Sequence, residues 1–175
     1  MKNILDKFKI YGPKKFLFFA FLEAKRILLL QFIKKSFSQY GEDLIIDSLL
    51  HNKHRGFYVD VGAYDPHRIS NTKRFYLKGW KGINIEPDES NFQRFVVARK
   101  RDVNLNIGVG NAKKNLIFFK FIPDTLSTFS KSEAKKYIAN GYKLVSKKTI
   151  PVDTLSSIFN TYVKSEKIDL LSIDT

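Results

Sequence analysis

From about residue 36 to its end, the chain alternates between short apolar, β-branched runs and stretches with helical spacing. Apolar runs of this kind predict buried strands, and apolar positions three or four residues apart predict amphipathic helices. In chain order we predict helix 42–50, strand 57–61, helix 70–78, strand 82–86, helix 88–98 and strand 103–109. Strands and helices that alternate with short connections are typical of a mostly parallel, doubly wound α/β sheet.

The last third of the chain departs from this alternation. The stretches 115–122 and 143–152 predict strands on either side of a Ser/Thr-rich loop, which ends in a short helix. They form either an insertion or a strand pair at the sheet edge. Asp153 and Thr154 are suitable caps for a helix over 153–164. The segment "KIDLLSIDT" then predicts a last buried strand that ends on Asp174.

Positive charge is concentrated at the beginning of the chain. The net charge is +14, and residues 1–35 carry nine Lys/Arg against Asp6 and Glu23, which gives +7. Such a segment favours anionic partners or serves solubility. Lysine dominates and the aromatic side chains follow a buried pattern, which disfavours nucleic acid as the partner.

The same segment has an apolar helical face interrupted by charge. Its longest apolar run, Phe16–Leu22, has seven residues, whereas a membrane span needs roughly 20. We interpret residues 1–35 as a basic amphipathic helical arm and residues 36–175 as one domain. The arm packs on protein, or else residues 14–35 contact a membrane surface.

Composition excludes several kinds of site. The chain has no cysteine, so a disulfide framework, a thiolate zinc site and a cysteine nucleophile are excluded, and a cytoplasmic location fits. Its three histidines are His51, His54 and His67. With no convincing carboxylate cluster either, we predict no metal site.

Acidic and amide side chains fall where predicted strands end. Ligands of open α/β sheets bind at the carboxyl ends of the strands. Asp60 and Glu86 are 26 residues apart, the length of one strand–helix–strand unit. An acid at the position of Glu86 can accept both ribose hydroxyls of a nucleoside. The alternative is that Glu86 and Pro87 merely begin the next helix.

The turn after the first strand, "VGAYDP", has one glycine. A pyrophosphate site needs a Gly-x-Gly-x-x-Gly pattern, whereas here Pro66 also lacks the backbone N–H that could donate to a phosphate. The turn therefore fits a cofactor without phosphates, of which S-adenosylmethionine is the common one. A carboxylate such as Asp60 suits its cationic sulfonium.

Several motifs occur in order: "SQYGEDLIIDSLL", "GFYVDVGAYDPHRISNTKRFYLKGWKGINIEPDESNF", "RDVNLNIGVGN", "LSTFS", "IPVDTLSSI" and "IDLLSIDT". Over residues 38–175 the chain resembles the FkbM family of S-adenosylmethionine-dependent methyltransferases. The resemblance implies a Rossmann-like class I methyltransferase fold. It also implies O-methylation, which in many members serves polysaccharide or natural-product synthesis.

The resemblance also implies roles for individual residues. The turn at the methionine end of the cofactor would contain Asp60, Gly62, Ala63 and Tyr64. The ribose would be held by Glu86, followed by Pro87, and residues 104–107, including Asn106, would border the adenine. The residues that close over the cofactor would be Gln39, Glu42 and Asp43.

Methyl transfer to a hydroxyl is an in-line displacement that usually needs a proton acceptor. The candidates are Asp174 and His67, ahead of Asp65 and Asp153. Asp174 matches an acid that the family follows with Glu-Gly, whereas this chain ends one residue later. We therefore expect a sheet that is incomplete at the C-terminus.

Two functions remain open on these grounds. The first is an O-methyltransferase acting on a small-molecule hydroxyl or on a sugar hydroxyl of a surface polysaccharide. The second is an inactive truncated methyltransferase that serves as a binding or partner module. A homo-oligomer is compatible with both functions, and the chain would be membrane-associated if its arm binds lipid.

Overall fold

A computed structural model of the chain describes residues 17–18, 21–22, 24–25, 28–29, 36–164 and 166–174. The chain divides into two compact units. The first comprises Phe37–Phe118 and Lys147–Thr175, and the second comprises Met1–Ser36 and Phe119–Ser146.

The secondary structure follows the predicted alternation. The helices are α1 (Glu42–Leu49), α2 (Lys73–Leu77), α3 (Glu89–Ala98), α4 (Lys131–Ala139) and α5 (Leu155–Ile158), with a 3₁₀ turn at Asp124–Leu126 and a π-helical turn at Phe159–Val163. The strands are β1 (Phe57–Val61), β2 (Lys81–Ile85), β3 (Val103–Leu105), β4 (Gly108–Val109), β5 (Lys114–Ile122), β6 (Lys143–Asp153) and β7 (Leu170–Ile173).

Four parallel strands form the sheet of the first unit, in the order β3-β2-β1-β7. Asp60 on β1 pairs with Asn84 on β2 and with Ser172 on β7. Parallel neighbours joined by helical crossovers confirm the predicted α/β class, with the mostly parallel sheet of a Rossmann-like methyltransferase fold.

Alternating residues of β1 and β2 face two different cores. On one face, an apolar cluster of Phe57, Val59, Val61, Ile83 and Ile85 packs with Ile158 and Val163. The other face carries a cluster built on Tyr58, Phe75 and Trp80. Both faces of β1 are therefore covered, as parallel sheets require.

The caps of two helices follow from the sequence. Asp88 accepts hydrogen bonds from the backbone N–H groups of Ser90 and Asn91 at the start of α3. The predicted cap of the later helix is confirmed: Thr154 accepts from Ser157 N, and Asp153 accepts from Thr154 N and from the Ser157 hydroxyl.

The predicted strand 103–109 is wrong as one element. β3 pairs with β2, whereas β4 pairs with β6, and Asn106 lies between them. The Asn106 side-chain amide donates to the carbonyls of Glu86 and Pro87, at 2.9 and 3.0 Å, where the chain leaves the first sheet.

Two predicted helices differ from the observed ones by more than one residue at an end. The helix predicted over 70–78 spans only Lys73–Leu77, and the Ser70 hydroxyl before it accepts a hydrogen bond from Lys73 N. The helix predicted over 153–164 begins at Leu155 and continues after Ile158 as the π-helical turn.

The stretches 115–122 and 143–152 are strands, as predicted. They belong to a second sheet, in the order β4-β6-β5, so the alternative of an edge pair on the first sheet is wrong. Within the second unit, Phe119 and Phe121 pack with Ala134 of α4, and Ser130 caps that helix by accepting from Glu133 N.

Most of the predicted basic arm lies outside the described residues. Its described pairs are helical, and their exposed apolar side chains are Leu17, Phe18, Phe21, Leu22, Leu28 and Leu29. Contact with a membrane surface stays a prediction. Among the residues that the structure describes, no helix has the length and apolar character to cross a membrane.

Candidate functional site

Asp60 lies near the end of β1 and is almost completely buried, with 4% of its surface exposed. The Thr72 hydroxyl donates to Asp60 Oδ2 at 2.7 Å. Burial raises the pKa of Asp60 to about 6, against the opposing effects of the Thr72 hydrogen bond and the positive charge of Arg99. Asp60 is thus a buried acid beneath the turn that follows β1.

A row of polar residues crosses the whole sheet at the level of Asp60. Its members, in sheet order, are Asn104, Asn84, Asp60 and Ser172. The Asn84 side-chain amide donates to Asn104 Oδ1 and to Asp102 Oδ2, both at 2.9 Å. Among the described residues, Asn84 Oδ1 is a buried acceptor without a hydrogen-bond partner.

The turn after β1 is shaped by Gly62, which has a φ of +72°. The N–H groups of Gly62 and Ala63 both donate to the carbonyl of Ile85, at 2.9 and 3.1 Å. These two amides are therefore committed to β2. A cradle for phosphate needs amides that point to the ligand, which these do not.

Glu86 follows β2 directly and has 5% of its surface exposed. One carboxylate oxygen accepts from Tyr64 N and the other from Asp88 N, both at 2.8 Å. Burial raises the pKa of Glu86 to about 7, against these two backbone hydrogen bonds. Each carboxylate oxygen retains a second acceptor position, so Glu86 joins the turn to β2 and can still accept hydroxyls.

Asn106 and Pro87 lie beside this acid. Since the Asn106 amide donates to the carbonyls of Glu86 and Pro87, its NH₂ group fixes the backbone here. Ala63 is buried, whereas Tyr64 and Pro87 are half-buried. The structure therefore brings together Asp60, Gly62, Ala63, Tyr64, Glu86, Pro87 and Asn106, at the carboxyl ends of β1 and β2 and just after β3.

The loop from Asp65 to Thr72 extends this region. Asp65 is buried and accepts from the N–H groups of His67 and Arg68 and, at 2.6 Å, from Arg94 of α3. Burial raises the pKa of Asp65, but these hydrogen bonds outweigh that effect and the net pKa is lowered.

The two candidate proton acceptors, His67 and Asp174, are exposed residues. Partial burial, and then the positive charge of Lys73, hold the pKa of His67 below its ordinary value of 6.5. Asp174 is exposed just after β7, where its N–H donates to the carbonyl of Val61 at 2.9 Å. His67 and Asp174 thus follow neighbouring strands β1 and β7.

The conformation of the segment "SQYGED", residues 38–43, is stabilised mainly by hydrogen bonds of Ser38 and Asp43. Asp43 is buried and accepts from the Ser38 hydroxyl and from Phe37 N, at 2.9 and 3.0 Å. Gln39 donates to the Tyr40 hydroxyl, and Glu42 accepts from Tyr40 N. The Phe37 carbonyl accepts from Ser70 N, which ties this segment to the loop after β1.

The polar row could have been found from the sequence. Each strand has a polar residue between apolar ones, in "VDV", "INI", "VNL" and "LSI". Parallel strands covered on both faces are normally near-continuous apolar runs, so interruptions at one level indicate a buried polar layer.

The free energy of unfolding should depend on pH through Asp60 and Glu86. Their folded pKa values, about 6 and about 7, exceed the ordinary 3.8 and 4.5. A raised folded pKa gives stability that is fully present below the unfolded pKa and is lost as pH rises through the folded pKa. We expect urea denaturation to show greater stability at about pH 5 than at about pH 7.5. If the free energy of unfolding of Asp60→Asn fell by the same amount between these two pH values, the contribution assigned to Asp60 would be wrong.

Over the described residues, no three His, Asp or Glu side chains form a group that could hold a metal ion.

Comparison of the sequence with known proteins identifies a family for this chain. Searches of curated proteins and of solved structures each found no match. A family model described as the methyltransferase FkbM domain matches residues 60–175, more than half of the chain. The match begins at Asp60, so it contains the turn, Glu86 and Asp174 but not residues 38–43. The chain belongs to the FkbM methyltransferase family.

Proposed function

We propose that this methyltransferase takes its methyl group from S-adenosylmethionine and transfers it to a hydroxyl, on a sugar of a surface polysaccharide or a related glycan. The observation that carries the proposal is the pair of buried acids Asp60 and Glu86. They lie at the carboxyl ends of adjacent parallel strands and are joined through the 62–64 turn. Open α/β sheets bind nucleosides and nucleotides at such a position.

The hydrogen-bonding groups at these strand ends fit a nucleoside without phosphates. Glu86 has acceptor positions left for two ribose hydroxyls, and its orientation is fixed by Tyr64 N and Asp88 N. The amides of Gly62 and Ala63 are committed to Ile85, so they are not available to a pyrophosphate. A buried carboxylate at Asp60 is compatible with a cationic ligand and unfavourable for an anionic one.

When bound, S-adenosylmethionine supplies an electrophilic methyl group on a sulfonium. The residues of this chain would bind and orient it. Glu86 would hold the ribose, Asn106 would keep the backbone after β2 in place, and the Asp60–Tyr64 turn would face the amino-acid end. Alignment of donor and acceptor can supply a large part of the catalysis in such a displacement.

The acceptor hydroxyl must lose a proton, and two groups of this chain can take it. His67 has a lowered pKa, so its imidazole is neutral near pH 7 and can accept at a ring nitrogen. Asp174 presents a carboxylate next to the end of β1. We propose these two residues as the proton acceptors, with Asp174 preferred.

Titration calorimetry tests the cofactor. We expect S-adenosylmethionine and S-adenosylhomocysteine to bind with micromolar dissociation constants, whereas NAD, which carries a pyrophosphate, should not bind. Binding of NAD without binding of S-adenosylhomocysteine would overturn the proposal. Transfer of a labelled methyl group to neutral and acidic oligosaccharides then tests the acceptor.

A further inference from the structure

Arg99 follows α3 and is almost completely buried, with 1% of its surface exposed. Its guanidinium donates to the Tyr58 hydroxyl at 3.0 Å, to the Pro66 carbonyl at 3.1 Å and to the Ser70 hydroxyl at 3.2 Å. It lies 4.7 Å from the centre of the Tyr76 ring.

Burying a guanidinium is costly, and its immediate hydrogen-bond acceptors are neutral. Negative charge lies close by without a direct hydrogen bond: Tyr58 donates in turn to Asp102, and the positive charge of Arg99 acts to lower the pKa of both Asp60 and Asp102. An apolar side chain could fill the same space beside the Tyr76 ring without this cost. Beyond its charge, Arg99 adds a set of directed hydrogen bonds, two of which end on the loop after β1.

These two bonds enclose the exposed tip of the loop. Pro66 and Ser70 flank His67, Arg68 and Ile69, which are all exposed. Ile69 has a φ of +53°, a region that β-branched residues rarely adopt because of steric strain. A loop with such a residue keeps its conformation only when its surroundings hold it.

The held loop is continuous with the proposed cofactor turn. Tyr64, two residues before Pro66, donates its N–H to Glu86, and Asp65 between them is held by Arg94 of α3. The conformation of the turn is thus fixed on one side by Glu86 and on the other by α3 and Arg99.

We propose that Arg99 is a positioning residue. By holding Pro66 and Ser70 it presets the 62–72 loop for the amino-acid end of the methyl donor, without contacting the donor itself. This inference rests on the proposed function for the identity of the ligand, whereas the holding of the loop stands on the contacts alone.

The test compares Arg99→Lys with Arg101→Gln. Lysine retains the charge and an apolar stem, but its single ammonium cannot reproduce the fork of donors. Arg101 is an exposed neighbour that lies over the same Tyr76 ring, 3.9 Å from its centre, and donates to the Tyr76 carbonyl. It is a matched control because its described contacts do not include the loop.

The first measurement is limited trypsin digestion without ligand, with cleavage after Arg68 followed by mass spectrometry. We expect this cut to be about tenfold faster in Arg99→Lys, because cleavage follows the population of the released loop. Arg101→Gln should match the unaltered protein. An unchanged rate after Arg68, or an equal rise at all sites, would overturn the proposal.

The second measurement compares S-adenosylhomocysteine with 5′-methylthioadenosine, which lacks the amino-acid end. Arg99→Lys should weaken the first by about tenfold and the second by less than about threefold, since only the first needs the preset loop. An equal loss for both ligands would mean a general structural role and overturn the proposal. If the unaltered protein binds neither ligand, the proposed function fails, and the trypsin result still decides whether Arg99 holds the loop.

Discussion

Replacing Glu86 with alanine is expected to weaken binding of S-adenosylhomocysteine by at least about a hundredfold, since it removes two charge-assisted hydrogen bonds of about 1.5–3 kcal/mol each. The carboxylate also holds Tyr64 N and Asp88 N at 2.8 Å. The alanine variant therefore loses the proposed ribose acceptor and the link between the turn and β2 together. Calorimetric titration against the unaltered protein measures the change.

Glu86→Gln separates these two effects. The carbonyl oxygen of glutamine can still accept from one of the two backbone amides, Tyr64 N or Asp88 N, but its NH₂ group then faces the other amide. We therefore expect an intermediate affinity for S-adenosylhomocysteine. Glu89→Gln is the matched control, because Glu89 is an exposed acid three residues later, at the start of α3, whose carboxylate accepts from Gln93. Unchanged affinity in Glu86→Ala would remove Glu86 from the site and, with it, the main support for a nucleoside cofactor.

The fold around Glu86 could be predicted because its signals are local. The bounds predicted for the first strand, 57–61, match β1, since its five buried positions leave a run of apolar and β-branched residues that only Asp60 interrupts. The rule that ligands lie at the carboxyl ends of parallel strands then brings Asp60 and Glu86 together without further information. Both residues do lie at this edge of the sheet.

Arg99 and Asp102 could not be predicted in the same way. In the sequence they belong to "ARKRD", a cluster of charges that normally indicates a solvated helix end. Arg99 is buried because it meets Tyr58, 41 residues away, and Pro66, 33 residues away. Asp102 accepts hydrogen bonds from the Tyr58 hydroxyl, the Asn84 side-chain amide and Gly82 N. Partners so distant in the sequence leave no periodic or compositional signal.

Asn106 shows a different limit of sequence reasoning. The resemblance implied that it borders the adenine, and its position next to Glu86 is compatible with that. Its side-chain amide, however, also ends the first sheet by bonding to two carbonyls after β2. An amide can serve as a backbone clamp or as a ligand contact, and only the geometry reveals the clamp.

Gly62→Ala is expected to lower the free energy of unfolding by about 2–5 kcal/mol, from a left-handed backbone that costs a non-glycine residue about 1–2 and from overpacking that costs about 1–3. Gly62 has a φ of +72°, and an added Cβ would lie 1.9 Å from the carbonyl oxygen of Asp174. That oxygen belongs to the backbone next to β7, whose end is held to β1 by the bond from Asp174 N to the Val61 carbonyl. The methyl group must therefore separate the ends of β1 and β7.

Gly79→Ala is the control that isolates the contact from the backbone strain. Gly79 also has a positive φ, +92°, but an added Cβ would meet no atom within 4 Å. It should therefore cost only about 1–2 kcal/mol, the strain of a left-handed residue. Urea denaturation of both variants gives the two values, and the excess for Gly62→Ala measures how tightly the turn is closed by Asp174. Equal losses would mean that β7 moves away freely and that the Asp174 carbonyl does not close the turn tightly.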